Sequence, residues 1–181
     1  MAFCECEFNF DLSNPLWVTL NTSLKINASR KDVWKVMATT GHLEKVHPFC
    51  KLHTSKKFQG VGDQDFFVFY NNKEFNRIVI DWKDGESFTL DLFDETNYKQ
   101  IVIFKVVEDV SGKSLMSIRF ETNSFKDVPE SKWDENYIKK VISNHKHYFS
   151  SVLRGFNHFI TTGEVVKRNQ FGIHQEYSPK V

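Results

Sequence analysis

The stretch from Asn136 to Ile160 reads NYIKKVISNHKHYFSSVLRGFNHFI and carries the strongest pattern in the chain. Its apolar residues recur at intervals of three and four, and at ~100° per residue they fall within one arc of about 160°. Charged and amide side chains occupy the opposite side. The pattern predicts an amphipathic helix of roughly 30 residues, about 45 Å long, that ends at Gly163. An apolar stripe of this length requires a large apolar surface to pack against.

Strand patterns that can supply this surface follow one another from Cys50 to Thr122. Turn residues such as Gly60–Asp63 recur about every ten residues, which is typical of a meander of antiparallel hairpins. Charged side chains mark the solvent face of each strand, and Arg77 and Asp81 are assigned to that face. The alternation predicts an inward set made up of Ile78, Ile80, Trp82, Phe88, Leu90, Leu92, Val102, Phe104, Val106, Met116, Ile118 and Phe120.

Another strand and two short helices precede this meander. Trp17 to Ile26 alternates between apolar and polar residues, as a half-buried strand does. Ser29 and Asp32 have the spacing of a helix N-cap, and a shorter helical turn then leads to His47. The order predicts an α+β fold in which a curved seven-strand antiparallel sheet wraps around the long C-terminal helix. We expect one domain over residues 1–181, with an irregular tail over residues 165–181.

This order resembles the helix-grip fold, and three short segments strengthen the likeness. Ile26–Trp34 is similar to the strand-to-helix entry of the START-like superfamily, also called SRPBCC, which includes pollen-allergen-type carriers, polyketide cyclases and lipid-transfer domains. Gly41–Phe49 is similar to the segment in which members place a second helix before a proline-containing turn. Gly163–Gly172 resembles the ending of a bacterial polyketide-cyclase-like subgroup. The resemblance implies a cavity between sheet and helix, and it implies no catalytic motif common to the superfamily.

Charge and composition exclude several classes of partner. Lys and Arg number 24 and Asp and Glu number 23, so the net charge of +1 argues against a nucleic-acid binder that neutralises many phosphates. The same balance provides no field to hold the protein on an acidic membrane, and no stretch approaches the ~20 apolar residues of a spanning helix. We expect a soluble cytoplasmic protein without cofactor, nucleic acid or stable membrane association, as a monomer or weak homodimer.

His145 is the candidate for chemistry within the helix. It lies near the middle of the apolar arc, between Val141 and Phe149. A polar group buried there without a partner costs ~1–3 kcal/mol. One interpretation is a core histidine bonded to a strand carbonyl or a tyrosine. The other is a cavity histidine that orients a ligand or moves a proton near neutral pH.

Three further histidines, His42, His47 and His53, are spaced five and six residues apart around the start of the meander. As metal ligands they would need an acidic companion, and Glu44 is the only acid nearby. Their spacing is not that of a helical metal-binding motif. We therefore predict no metal site, and we place His47 at the rim of the cavity.

Several other residues have two interpretations each. Tyr70 and Trp82 either line the cavity with a phenol and an indole or pack in the core. Asp134 is either a partner of His145 or a first-turn acid favoured by the helix dipole. The basic pair at the start of the tail, Lys167 and Arg168, either binds an acidic group or is solvated.

Three functions are compatible with this sequence. The first is binding or carrying a small hydrophobic or amphipathic molecule in the cavity. The second is a polyketide cyclase or dehydratase-like reaction with His145 as acid or base, and the third is a protein-interaction module with a filled core. For the first function, the predicted ligand-binding residues are His47, Tyr70, Ile80, Trp82, Leu90, Phe104, Met116, Ile118, Phe120, Val141, His145, Phe149 and Val152.

Overall fold

The computed structural model describes residues 4–10, 18–93, 99–123, 129–132 and 134–180. Its strands are β1 (Glu5–Phe10), β2 (Val18–Ile26), β3 (Cys50–Ser55), β4 (Gln64–Phe69), β5 (Glu74–Lys83), β6 (Ser87–Phe93), β7 (Gln100–Glu108) and β8 (Ser114–Thr122). Its helices are α1 (Arg30–Met37), α2 (Leu43–Val46) and α3 (Glu135–Thr162), with a 3-10 turn (Glu130–Lys132) before α3.

These strands form one antiparallel sheet in the order β1-β2-β8-β7-β6-β5-β4-β3. The sheet is curled into a half-barrel. Strands β3 to β8 follow one another as the predicted meander, and β2 pairs with β8. The predicted α+β helix-grip fold is confirmed. The pairing of β1 with β2 adds one edge strand to the seven that the sequence predicts.

The inward faces of β6, β7 and β8 are those predicted from the alternation. Phe88, Phe104 and Ile118, one from each strand, are 0%, 4% and 1% exposed. Because alternate residues of a strand point to opposite faces, these side chains and their neighbours form one continuous apolar surface. Helix α1 also begins as predicted, since the Ser29 hydroxyl accepts the backbone N–H of Asp32 at 3.2 Å.

The inward face of β5 is the opposite of the predicted one over its first half. Arg77 is 4% exposed and Val79 is 1% exposed, whereas Ile80 is 45% exposed. The assignment of Ile78 and Ile80 to the inner face, and of Arg77 to the outer face, is therefore wrong. The alternation of residues along β5 is compatible with either face pointing inward, and the charge of Arg77 favours the outer face for that residue.

Two features explain this phase. The guanidinium of Arg77 is bound by the buried carboxylate of Asp65 on β4, with the Arg77 Nε 2.6 Å from an Asp65 oxygen. A bulge between Val79 and Asp81 then shifts the register of β5 against β6. Beyond this bulge Trp82 packs against the core, as predicted.

Helix α3 is the predicted long helix. At its start the Asp134 side chain accepts the backbone N–H of Tyr137 at 2.8 Å, so Asp134 is the N-cap of the helix, at the end where the helix dipole favours an acid. At its end Gly163 has φ +76° and caps the helix as predicted. No helix in the described ranges has both the length and the apolar character needed to cross a membrane.

Gly155 marks a close approach of α3 to α2. A Cβ at this position would lie 1.8 Å from the carbonyl oxygen of Val46, so a side chain here would force the two helices apart. The fully buried residues of α3 extend from Phe149 to Phe156. The preceding turns of α3, around His145, are only half-buried, and these turns form one wall of the candidate site.

Candidate functional site

A cavity lies between the inner face of the sheet and the middle of α3. Its volume is about 70 Å³, roughly half that of a ~150 Å³ cavity that holds benzene. The sheet contributes Phe67, Phe69, Phe75, Arg77, Leu92, Gln100, Val102, Phe104, Ile118 and Phe120. The opposite wall consists of Leu43, His47, Asn144, His145, Tyr148, Phe149, Val152, His174, Glu176 and Tyr177. Most of these side chains are apolar, so the few polar groups can define the orientation of a bound molecule.

His47 and Tyr148 form a hydrogen-bonded pair in the wall of the cavity. The Nδ1 atom of His47 accepts the backbone N–H of Phe49 at 3.1 Å. The neutral ring therefore carries its proton on Nε2, which donates to the Tyr148 oxygen at 3.0 Å. Burial lowers the pKa of His47 to about 3, so the ring is neutral at physiological pH. His47 is 4% exposed, which makes it part of the buried wall and not of the rim.

His53, Asp65 and Arg77 form a buried network that reaches the cavity through Arg77. The Nδ1 atom of His53 accepts the backbone N–H of Leu43 at 3.2 Å, and its Nε2–H donates to Asp65 at 2.9 Å. The Nε and Nη2 atoms of Arg77 donate to the two oxygens of Asp65, each at 2.6 Å. Such a bidentate pair fixes the plane of the guanidinium.

The Asp65 carboxylate is ionised in this network. Burial by itself would raise the pKa of Asp65, but the Arg77 charge and the hydrogen bonds from His53 and Arg77 outweigh it and hold this pKa well below its usual range. Asp65 and Arg77 therefore neutralise one another. Since His53 accepts a backbone N–H, the network as a whole carries no net charge.

His145 lines the cavity on the helix side. Its Nδ1–H donates to the carbonyl oxygen of Val141 at 2.9 Å, within the same helix. Its ring stacks on Phe120 with 5.5 Å between ring centroids, and burial lowers its pKa below 6.5. The carbonyl partner is thus on α3 itself and not on a strand. A role of His145 in proton transfer stays a prediction.

The C-terminal tail closes one side of the cavity. Its described residues after Gly163 form turns without helix or strand, in keeping with the irregular tail that the sequence predicts. Tyr177 stacks on Phe69 with 4.3 Å between ring centroids, and the Asn71 amide donates to the carbonyl of Glu176 at 2.7 Å. His174 is 1% exposed and its Nδ1 accepts the backbone N–H of Tyr177 at 3.1 Å.

Arg168 fastens this tail from outside the cavity. Its Nη2 donates to the carbonyl of Pro179 at 2.7 Å, and its guanidinium lies over the ring of Tyr70, 4.7 Å from the centroid. Arg168 is thus half-buried and bonded within the tail, whereas Lys167 is exposed. Tyr70 lies beneath Arg168 and does not line the cavity.

The structure brings together about half of the predicted ligand-binding residues. Those that line the cavity are His47, Phe104, Ile118, Phe120, His145, Phe149 and Val152. Leu90 and Met116 are fully buried in the core beside it, and Trp82 packs on Trp34 under α1 with 5.1 Å between ring centroids. Val141 contributes its carbonyl to His145, and Ile80 faces outward. That the lining residues bind a ligand stays a prediction.

The three histidines His42, His47 and His53 do not converge on a common point. His42 and His53 are neighbours, with 5.2 Å between ring centroids, but His53 uses both nitrogens for Leu43 and Asp65. His47 is turned towards Tyr148 instead. In the described ranges no three His, Cys, Asp or Glu side chains are grouped so that they could hold a metal ion.

Sequence reasoning missed Arg77, Tyr148 and the tail residues as parts of the site. Tyr148 belongs to the apolar arc of α3, and this position could have identified it as a residue that faces the sheet. Arg77 carried no such signal, because its partner Asp65 is on another strand. The tail has no periodicity, so its packing over the cavity could not be read from the pattern.

Several solved structures share this fold at low sequence identity. No family model and no curated protein matches the chain. EF2215 from Enterococcus faecalis, a conserved protein of unknown function, has a TM-score of 0.61 at 15% identity, covering 91% of this chain and 81% of its own. CalU16 from Micromonospora echinospora has a TM-score of 0.58 at 10% identity, covering 90% and 88%.

DynU16, a protein of the dynemicin biosynthetic locus, is a further match. Its TM-score is 0.58 at 11% identity, over 82% of this chain and 48% of its own. These likenesses establish the fold alone. They agree with the helix-grip topology of the sheet and α3.

Proposed function

We propose that this protein is a START-like protein that binds a small apolar molecule in the cavity between the sheet and α3. The observation that carries the proposal is an apolar hollow inside the core, lined on one side by Phe104, Ile118 and Phe120 and on the other by Phe149 and Val152. A void lined by apolar side chains is a favourable site for an apolar ligand, which restores the packing contacts missing in its absence. The same hollow argues against the third hypothesis, in which the core is filled.

The size of the cavity restricts the ligand. With about 70 Å³, it requires expansion to hold a single six-membered ring, since benzene occupies a cavity of ~150 Å³. The tail is the part of the wall that belongs to neither a helix nor the sheet, so it can supply this volume by giving up contacts such as the stacking of Tyr177 on Phe69. We therefore expect a ligand of one ring or a short chain, bound with a shift of the tail.

Methylenecyclohexane is a suitable apolar probe, and its binding can be followed by methyl chemical shifts. We expect the shifts of Ile118 and Val152 to saturate with probe concentration. Val152→Phe fills the cavity from α3 and should weaken binding about tenfold or more. Val107→Phe, on the exposed side of β7, is the matched control and should leave binding unchanged. Equal affinities for the two variants would place the probe elsewhere and contradict the proposal.

A cyclase or dehydratase-like reaction is the second candidate. The observation that favours it is the position of the His145 ring in the cavity wall. If His145 transfers protons, His145→Ala abolishes turnover of a bound substrate while the midpoint of thermal unfolding changes little. A large loss of stability in His145→Ala would instead identify the ring as a packing element on Phe120.

A further inference from the structure

We infer that the natural ligand of this cavity is a neutral molecule with a hydrogen-bond-accepting oxygen, such as a ketone, which is held by the Tyr148 hydroxyl and the Arg77 guanidinium. This inference rests on the proposed function and specifies the chemical class of its ligand. Arg77 and Tyr148 together are termed the donor end of the cavity. Both groups line the cavity. The Arg77 guanidinium lies 4.9 Å from the ring centroid of Phe67, and the ring of His47, the hydrogen-bond partner of Tyr148, lies 6.5 Å from the same centroid.

The direction of the hydrogen bonds makes Tyr148 a donor towards the cavity. The chain of bonds runs from the Phe49 N–H to His47 Nδ1, and from His47 Nε2–H to the Tyr148 oxygen. The Tyr148 oxygen is the acceptor of that bond, so its own proton must point elsewhere. Within the described ranges this hydroxyl has no second hydrogen bond. Burial raises the pKa of Tyr148 well above 10, which keeps the phenol protonated.

Arg77 adds further donors at the same end. Asp65 accepts from Nε and Nη2, whereas Nη1 makes no hydrogen bond to any other described residue. The N–H groups of Nη1 are therefore available to a molecule in the cavity that Arg77 lines. The guanidinium is close enough to Tyr148 that its charge acts against the effect of burial on the pKa of the phenol.

Charge then decides which acceptor fits. The guanidinium charge is already neutralised by Asp65, so a ligand carboxylate would enter the cavity without a counter-charge, which is strongly unfavourable in a buried site. A carbonyl oxygen needs only donors, and the donor end supplies donors without net charge.

Three probes of similar size separate the alternatives: cyclohexanone, its apolar isostere methylenecyclohexane, and cyclohexanecarboxylate. We expect Tyr148→Phe to weaken cyclohexanone binding about fivefold, as loss of one neutral hydrogen bond does, and to leave methylenecyclohexane within about twofold. Tyr70→Phe, a tyrosine outside the cavity, is the matched control and should change neither affinity. Cyclohexanecarboxylate should bind at least about tenfold more weakly than cyclohexanone at neutral pH.

The outcomes distinguish this inference from the proposed function. If methylenecyclohexane binds and Tyr148→Phe affects both neutral probes equally, or if the carboxylate binds more tightly than the ketone, the inference is overturned and cavity binding stands. If none of the three probes binds the unmodified protein, both the inference and the proposed function fail.

Tyr148→Phe deprives His47 of its hydrogen-bond acceptor. Should this variant not fold, the 13Cζ chemical shift of Tyr148 in the unmodified protein is measured instead. That shift should respond to cyclohexanone and not to methylenecyclohexane, and an equal response to both would overturn the inference.

Discussion

Two histidines inside the core make the folded protein sensitive to mild acid. Burial, reinforced by His53 and Arg77 nearby, lowers the pKa of His42 from 6.5 to about 3. Burial also lowers the pKa of His47 from 6.5 to about 3, with Arg77 again adding to the effect. In the unfolded chain both rings take up a proton near pH 6.5. Below that pH the unfolded state binds more protons than the folded state, so acid favours unfolding.

The size of this effect follows from the two pKa values of each ring. Between pH 7.5 and pH 5, protonation stabilises the unfolded state by about 2 kcal/mol per histidine and the folded state hardly at all. The two rings together should therefore lower the free energy of unfolding by about 4 kcal/mol, out of a typical total of ~5–15 kcal/mol. The lowered pKa of Asp65 has its effect at more acidic pH, because its stabilising contribution is lost only below about pH 4.

Urea unfolding at a series of pH values measures this directly. The free energy of unfolding should fall between pH 7.5 and pH 5, with a slope that approaches ~1.4 kcal/mol per pH unit for each ring. His42→Gln and His47→Gln should each remove one ring's share of the slope, and the double variant should remove both, whatever their effect on the absolute stability. A free energy of unfolding that stays constant over this range would refute the conclusion that both rings are buried and neutral.

Three further predictions follow from particular contacts. Gly155→Ala should destabilise the protein by about 1–3 kcal/mol or more in urea unfolding, because its Cβ would collide with the Val46 carbonyl. The control Gly60→Ala, where a Cβ meets nothing within 4 Å, should change the free energy of unfolding by no more than about 0.5 kcal/mol. Equal effects of the two variants would contradict the close approach of α3 and α2. Arg77→Met should lower the free energy of unfolding by about 3–5 kcal/mol, because it leaves Asp65 buried without its counter-charge. Adding Asp65→Asn should restore part of this stability. A further decrease in the double variant would mean that the two residues are not coupled. The thiol of Cys50, whose pKa burial raises to about 12, should resist a disulfide reagent until the protein is unfolded, and rapid labelling of Cys50 in the native protein would show that it is accessible.

Elements with a repeated pattern could be predicted from the sequence. The arc of α3, its cap at Gly163, and the inward faces of β6 to β8 all repeat over many residues, so each position supports the same assignment. These elements fix the fold and one wall of the cavity. They therefore also predicted lining residues such as Ile118 and Phe149.

The polar end of the site could not be predicted, because it depends on contacts between distant segments. Arg77 is turned inward by Asp65, which lies 12 residues earlier in the chain and is itself held by His53, 12 residues earlier again. A bulge beyond Val79 then restores the predicted phase at Trp82. No feature of the neighbouring sequence distinguishes such an arginine from a solvated one. The usual outward placement of a charged residue therefore predicts the wrong inward face for β5.

The tail shows a second limit of pattern reading. Val166, His174 and Ser178 are buried although the segment has no periodicity. Their positions are set by individual bonds, such as that from the Asn169 N–H to the carbonyl of Pro48 at 3.1 Å. Such contacts become visible only when the whole chain is folded.

A crystal structure of the protein with bromocyclohexane tests directly whether the hollow accepts an apolar molecule, because the bromine can be located by its anomalous scattering. We predict an anomalous peak between the sheet and α3, in contact with Phe104, Ile118 and Phe149, together with a displacement of Tyr177. A peak confined to the outer face of the sheet near Ile80, or no peak at saturating concentration, would contradict the proposed binding site.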